Sequence, residues 1–207
     1  MKYTDMKMYE QAETNLLLMY SNVRQVEPGI FGIMENGKYG FADARKPDIK
    51  IAEPKFTTAH YRKNYVYLSA GTYYSKEQEG IMYFIPTSTE IKCDKTTIQE
   101  YSTIDYRLAS IVYSNELVGH YDTETAQLLG TSVYEKFKYR PYDPYFVLSF
   151  LDKKTEKLVG ITTKFEKVDV LEYLATVFKS VKTRRSKIIA ELDDGHELEL
   201  TEFGQLY

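Results

Sequence analysis

Gly29-Ile-Phe-Gly-Ile-Met-Glu-Asn-Gly-Lys-Tyr-Gly-Phe-Ala-Asp43, GIFGIMENGKYGFAD, sets two short apolar runs around Asn36-Gly37. Asn and Gly tolerate the positive φ angles that a tight two-residue turn needs, so the stretch predicts a β-hairpin. A looser copy of this unit recurs about every 40 residues, a period typical of repeat architectures. Tyr65 to Pro86 turns within Ser75 to Gly80, Leu108 to Asp122 turns around Ser114-Asn115-Glu116, and Tyr145 to Thr163 turns at Asp152 to Lys157. Each is apolar or β-branched on both sides of a polar, turn-prone patch. Tyr39-Gly40, Val118-Gly119 and Val159-Gly160 hold the same place in their returning strands, with the missing copy expected near Tyr83. Glycine within a strand marks a bulge or a close approach, so the recurrence suggests one packing solution reused.

Around this β region the periodicity changes. Met6, Tyr9, Ala12, Leu16, Leu17, Tyr20 and Val23 recur at helical steps, predicting an amphipathic helix from Thr4, its candidate cap, to about Val23. Pro28-Gly29 closes that segment. A second helix is predicted over Phe165 to about Lys182, its stripe formed by Val168, Leu171, Leu174, Phe178 and Val181. Its end is basic, with Lys179, Lys182, Arg184, Arg185 and Lys187. The chain then reads as a hairpin over Ile188 to Leu200. A three-residue loop, Asp193-Asp194-Gly195, sets Leu192 against Leu198 and Ala190 against Leu200. The opposite face carries Glu191, Glu197 and Glu199, which the neighbouring cations are expected to neutralise. The fold class is thus α+β and mainly β: four to five repeated antiparallel hairpin units flanked by an N-terminal and a near-C-terminal helix. The segments are 1–28, 29–163 and 164–207, the last packed on the same domain as the repeats.

Bulk properties narrow the partners. The 207 residues carry 27 basic and 30 acidic side chains, a net charge of −3, which disfavours a protein that coats nucleic acid. Twenty Tyr and no Trp fit a β-rich fold with aromatic surface. Cys93 is alone, so no intramolecular disulfide forms and paired-Cys metal sites are excluded. The N-terminus lacks the apolar core of a secretory signal, and no run approaches the ~18 apolar residues of a membrane span. A cytoplasmic, reducing-compartment protein is expected.

Asn36-Gly37-Lys38-Tyr39-Gly40-Phe41-Ala42-Asp43 followed by Ile49 to Phe56, with Pro54 close before Phe56, resembles a WG repeat with Tyr in place of Trp. The resemblance covers about 20 residues. It implies a repetitive β architecture and an interaction module without catalytic residues.

The candidates for chemistry are few. His120 and Asp122, two apart on a strand, share a face as a metal pair or acid–base pair would. His60 falls in a connection and His196 in the terminal turn. Cys93 has no neighbouring base to activate it. No phosphate-binding glycine loop is present. The densest unusual stretch is Ser132 to Phe146, SVYEKFKYRPYDPYF, with Pro141 and Pro144 interrupting strand pairing. Its Tyr134, Lys138, Tyr139, Arg140 and Tyr142 form the candidate partner-binding set, since exposed Tyr and Arg dominate protein interfaces. The same rings among cations suit single-stranded nucleic acid, or cover the end of the core. The expected function is a non-enzymatic protein-interaction module with no cofactor and no metal, compatible with a viral accessory inhibitor or structural protein. A small-ligand pocket or enzyme between β units, and a nucleic-acid binder, stand as alternatives.

Overall fold

The computed structural model describes residues 3–46, 48–70, 79–94, 101–102, 107–112, 117–133 and 135–207. The chain divides into two units: Met1–Thr97 with Thr123–Ala126, and Ile98–Asp122 with Gln127–Tyr207. The described residues form five small antiparallel sheets and two helices, and in every sheet the strands follow chain order.

The first unit opens with α1 (Tyr3–Leu17) and a sheet of β1 (Asn22–Glu27), β2 (Ile30–Glu35), β3 (Lys38–Asp43) and β4 (Lys50–Phe56). Asn36 at φ 49° and Gly37 at φ 71° make the predicted tight turn between β2 and β3, with Glu35 opposite Lys38. Alternation sends Phe31, Ile33 and Ala42 to one face, where Ala12, Leu16 and Tyr20 of the helical segment cover them. Ile30 and Phe41 go to the other face and meet Val66, Leu68 and Tyr83 of the next sheet. That sheet comprises β5 (Thr58–Tyr61), β6 (Tyr65–Ala70), β7 (Glu79–Phe84) and β8 (Thr89–Asp94). Phe41 and Tyr83 stack at 4.6 Å between the two sheets. The Tyr83 hydroxyl donates to Asp43, which also takes the Arg45 guanidinium. Burial works against ionisation of Asp43, but the bonds from Arg45 and Tyr83 outweigh it and lower its pKa.

The second unit carries β9 (Tyr101–Ser102), β10 (Leu108–Val112), β11 (Leu117–Asp122) and β12 (Gln127–Val133) as one sheet. The next is β13 (Phe137–Tyr139), β14 (Phe146–Leu151), β15 (Leu158–Thr162) and β16 (Lys167–Asp169). After α2 (Val170–Val177), a three-stranded sheet of β17 (Ser180–Arg184), β18 (Lys187–Glu191) and β19 (Glu197–Leu200) ends the fold. Leu108 and Leu129 pack on Leu148, Phe150 and Ile161, while Phe146, Leu174, Ile188 and Leu200 form a further core.

The four expected hairpins are the central pairs of the four four-stranded sheets: β2–β3, β6–β7, β10–β11 and β14–β15. The repeating unit is therefore a four-stranded meander rather than a hairpin. Much of Ser75–Gly80, all of Ser114–Glu116, and Tyr134 lie outside the described residues, although Glu79 and Gly80 already belong to β7.

Both helices are shorter than expected. The first begins at Tyr3, so Thr4 lies inside it, and it stops at Leu17 because Val23 joins β1 opposite Ile33. Its buried face is narrower too, with Met6 and Leu17 exposed. The second starts only at Val170, because Phe165 takes a left-handed φ of 64° and Lys167–Asp169 pair with β15. Asp169 caps it, accepting from the Leu171 and Glu172 amides at 3.0 and 3.2 Å. It ends before Val181 and Thr183, β-branched residues that pair with β18. Lys182, Arg184 and Lys187 consequently sit on strands, not on a helix end. The expected neutralisation still occurs: Lys179 pairs with Glu191, Lys182 with Glu197 and Lys187 with Glu199. The Asp193–Gly195 loop forms with Gly195 at φ 85°, but the register sits two residues away from the expected one. Ala190 faces Leu198 and Ile188 faces Leu200, which preserves the apolar face.

Candidate functional site

The expected partner-binding residues divide on folding. Lys138 and Tyr139 belong to β13, opposite Ser149 and Leu148. Tyr139 packs against the core around Leu148 and Ile161, together with Phe137. Burial, reinforced by neighbouring Tyr142, pushes the Tyr139 phenol up to about 12, so it stays protonated at neutral pH. Tyr145 packs edge-on against Phe178 at 5.4 Å. These rings cover core, as the least functional of the expected roles had it. Tyr142 does not: it is 84% exposed.

What holds Tyr142 out is a short loop tied down by hydrogen bonds on either side of it. The Arg140 amide donates to the Val147 carbonyl at 3.0 Å, and the Asp143 amide to the Arg140 carbonyl at 3.1 Å. Pro141 opens the turn between them without needing a donor. Asp143 is buried, and its carboxylate accepts from three backbone amides in two segments. Oδ1 accepts from the amides of Tyr145 and Phe146, both at 2.9 Å, and Oδ2 accepts from the Leu206 amide at 2.8 Å. Arg140 reaches across to the Leu206 carbonyl, and the Gln205 amide group donates to the Phe146 carbonyl at 2.9 Å. The loop and the last residues of the sequence are thereby stitched together. Between them lies an open cleft of about 430 Å³, lined by Tyr139, Pro141, Tyr142, Pro144, Leu206 and Tyr207. Tyr207 is 68% exposed, with the Lys187 ammonium 5.1 Å from its ring centre. Sequence reading found Arg140 and Tyr142 but missed Tyr207 and the Asp143 clamp, because the contact spans more than sixty residues.

The His120–Asp122 pair does not assemble. His120 is fully buried, its Nδ1 2.8 Å from the Ser110 hydroxyl and its Nε2 2.9 Å from that of Ser132. Its ring stacks on Phe150 at 4.3 Å and meets the edge of Phe137 at 5.3 Å. Burial lowers its pKa to about 3, slightly opposed by the charge of Asp152, so it is neutral at physiological pH. Asp122 is held instead by Arg107 at 3.5 Å. With both nitrogens engaged and no exposed surface, His120 is a structural polar link between β10, β11 and β12.

A second cleft, of about 580 Å³, lies in the first unit and is lined by Arg24, Gly32, Tyr39, Tyr61 and Arg62 among others. Gly32 leaves room for the Tyr61 ring, which a β-carbon would approach to 2.8 Å, and Tyr61 donates to the Gly40 carbonyl at 2.7 Å. Among the described residues no group of three or more His, Cys, Asp or Glu is placed to hold a metal, and no helix is long and apolar enough to cross a membrane.

No protein-family model matches the chain, and no curated protein matches it. Among solved structures, BamB from Moraxella catarrhalis aligns at 14% identity and a TM-score of 0.30, over 86% of this chain. The β-propeller domain of the trilobed protease from Pyrococcus furiosus, described as having an open velcro topology, aligns at 14% and 0.30 over 82%. A structural genomics protein of unknown function from Bacteroides thetaiotaomicron aligns at 13% and 0.26 over 71%. The alignments span 56%, 80% and 42% of those three chains.

Proposed function

We propose that the chain is a protein-interaction module without catalytic activity, and that the cleft between Tyr142 and Tyr207 is its contact surface. The observation that carries this reading is two large rings, 84% and 68% exposed, on backbone anchored by the buried Asp143 carboxylate. Holding an aromatic ring in water is unfavourable in isolation, whereas a pre-ordered exposed Tyr loses little entropy when a partner covers it. Prolines on either side limit the conformations that binding would have to freeze. The WG-repeat likeness of residues 36–56 agrees with an interaction role.

A photo-activated cross-linker placed at position 142, and separately at 207, tests the reading in the native lysate. One stoichiometric partner captured from both positions, and not from the equally exposed position 18, is the expected result. Capture independent of position, or none, overturns it. The partner, once purified, should bind the Tyr142→Ala and Tyr207→Ala double variant at least about tenfold more weakly.

A second reading rests on the 580 Å³ cleft, whose lining includes two arginines and no carboxylate. It makes the first unit a receptor for a small anionic ligand. Binding of such a ligand would be weakened by Arg24→Ala and untouched by Tyr142→Ala, which separates the two readings.

A further inference from the structure

Strand register decides which side chains enter the 580 Å³ cleft of the first unit. Val23, Phe31 and Ile33 face α1, so the alternate positions of β1 and β2 face the second sheet. There Arg24 lies opposite Gly32, and Met34 pairs with Tyr39 of β3. From β5, Ala59 and Tyr61 approach the same space, packed beside Leu68 and Val66. His60 takes the other face of β5, where its ring meets Tyr67 edge-on at 5.8 Å. The gap that Gly32 leaves in its row is occupied by the Tyr61 ring.

The cleft therefore joins aromatic walls to a single available cation. Tyr39 and Tyr61 are half-buried and packed against the core of Phe41, Val66 and Leu68. Tyr61 is further held by its bond to the Gly40 carbonyl at 2.7 Å. Burial, reinforced by neighbouring Tyr39, pushes its phenol up to about 12, so it brings no negative charge into the cleft. Arg24 is exposed and, among the described residues, makes no ion pair or side-chain hydrogen bond, whereas Arg62 already has a partner. No carboxylate lines the space to neutralise Arg24. Rings fixed in advance take a flat ligand at little cost in entropy. One guanidinium fork matches one carboxylate through two parallel bonds, while phosphate sites gather further donors from backbone amides.

We propose that this cleft binds an aryl acid, a small molecule in which a flat aromatic ring carries a carboxylate. The ring lies against Tyr39, Tyr61 and the Met34 thioether, and the carboxylate takes the Arg24 guanidinium. The volume falls within the range of small-molecule sites, about 300–1,000 Å³. The proposal rests on the second functional reading above, that the cleft receives a small anion, and names the chemical class of that ligand. It is independent of the Tyr142–Tyr207 cleft.

Benzoate titrated into the full chain, followed by NMR of isotope-labelled methionine methyl groups, tests it. The Met34 methyl, assigned through Met34→Leu, should shift under the ring current of the ligand and saturate in roughly the millimolar range. Benzamide, which lacks the charge, should bind about tenfold more weakly, and cyclohexanecarboxylate, which lacks the flat ring, about fivefold more weakly. Arg24→Gln, a change at an exposed position, should weaken benzoate about tenfold and leave benzamide unchanged. Tyr142→Ala should alter none of these. Cyclohexanecarboxylate binding as tightly as benzoate, and through Arg24, would overturn the aryl ligand while leaving the cleft a receptor for anions. Phenyl phosphate binding about tenfold more tightly than benzoate would overturn the carboxylate in the same way. No saturable shift of Met34 with any of these anions overturns both the proposal and the reading it rests on.

Discussion

His120 sits where a charge cannot. Its pKa falls from 6.5 to about 3 through burial, so the unfolded chain binds a proton near pH 6.5 that the folded chain refuses. Stability conferred by the neutral ring is complete above the unfolded value and is lost as pH falls toward the folded one. Between pH 7 and pH 4.5 the loss should reach about 2–3 kcal/mol. Urea melts across that range check it: His120→Gln, which never charges, should start less stable but lose less on acidification. A parallel slope for the two proteins would remove the assignment. Glycines separate two kinds of constraint. A β-carbon on Gly40 would overlap the Ala52 carbonyl beside the register shift of β3 and β4, and backbone there has little freedom to move away. Gly40→Ala should therefore cost about 2–4 kcal/mol. Gly37, at φ 71° with nothing within 4 Å, should cost only about 1 kcal/mol as Ala, through its left-handed backbone alone. The shared sequence position of Gly40 and Gly160 is thus not one packing solution: Gly160 is kept small by the Phe146 ring. The copy expected near Tyr83 falls at Ile81, the third residue of β7 as Gly40 is of β3, where a side chain replaces the glycine.

At the level of elements, the central strands of the four-stranded sheets were legible, while the edge strands β1 and β13 were not. β2 is a continuous apolar run because helix and sheet cover its two faces, as Ile30-Phe31-Gly32-Ile33 shows. β1, with Arg24 and Gln25 exposed, and β13, with three residues, carry too little pattern to be read alone. The helix period over 165–182 misled for a related reason. Val168 and Val181 do face the same core as Leu174, but from strands flanking a two-turn helix. A repeated turn was overlooked as well. Asp122-Thr123-Glu124-Thr125-Ala126 and Asp152-Lys153-Lys154-Thr155-Glu156 both end on a left-handed residue, Ala126 at φ 57° and Glu156 at φ 56°. Asp152 shows what the aspartate does there: it accepts from the Thr131 and Thr155 amides and the Thr155 hydroxyl. Burial opposes its ionisation, yet these bonds prevail and its pKa is lowered. Since neither Ala nor Glu relieves the left-handed strain, Ala126→Gly and Glu156→Gly should each stabilise by up to about 1 kcal/mol. Thermal melts of the single and double variants read the sign directly, and a loss of stability in both would contradict it.

For the molecule as a whole, the contact that matters most to the candidate site joins positions far apart in sequence. Local pattern announced Arg140 and Tyr142, because Tyr, Arg and Pro crowd into a few residues. It had no means of announcing that Phe203 to Tyr207 come back to meet them. Phe203 and Gln205 are buried to 3% and 0% exposure, as completely as central core residues. Thr201 supplies the turn, Asp143 and Arg140 fix Leu206, and Gln205 bonds the Phe146 carbonyl. Removing Phe203–Tyr207 should uncover Val170, Leu174 and Phe146, which crowd Gly204 in the intact chain, and leave the Asp143 carboxylate short of one donor. Loss of a buried aromatic together with a charge-assisted bond should cost about 4 kcal/mol or more, visible as a lower urea midpoint. Asp143→Ala isolates the anchoring part. It should cost about 2–3 kcal/mol and free Tyr142 and Tyr207 from each other, so that partner capture at position 142 falls even at temperatures where the variant is folded. Tyr142→Ala is the complement: an exposed ring, expected to change stability by less than about 0.5 kcal/mol while removing the contact. A folded Asp143→Ala protein that captures as well as the wild type would mean that the order of this loop is not what binding uses.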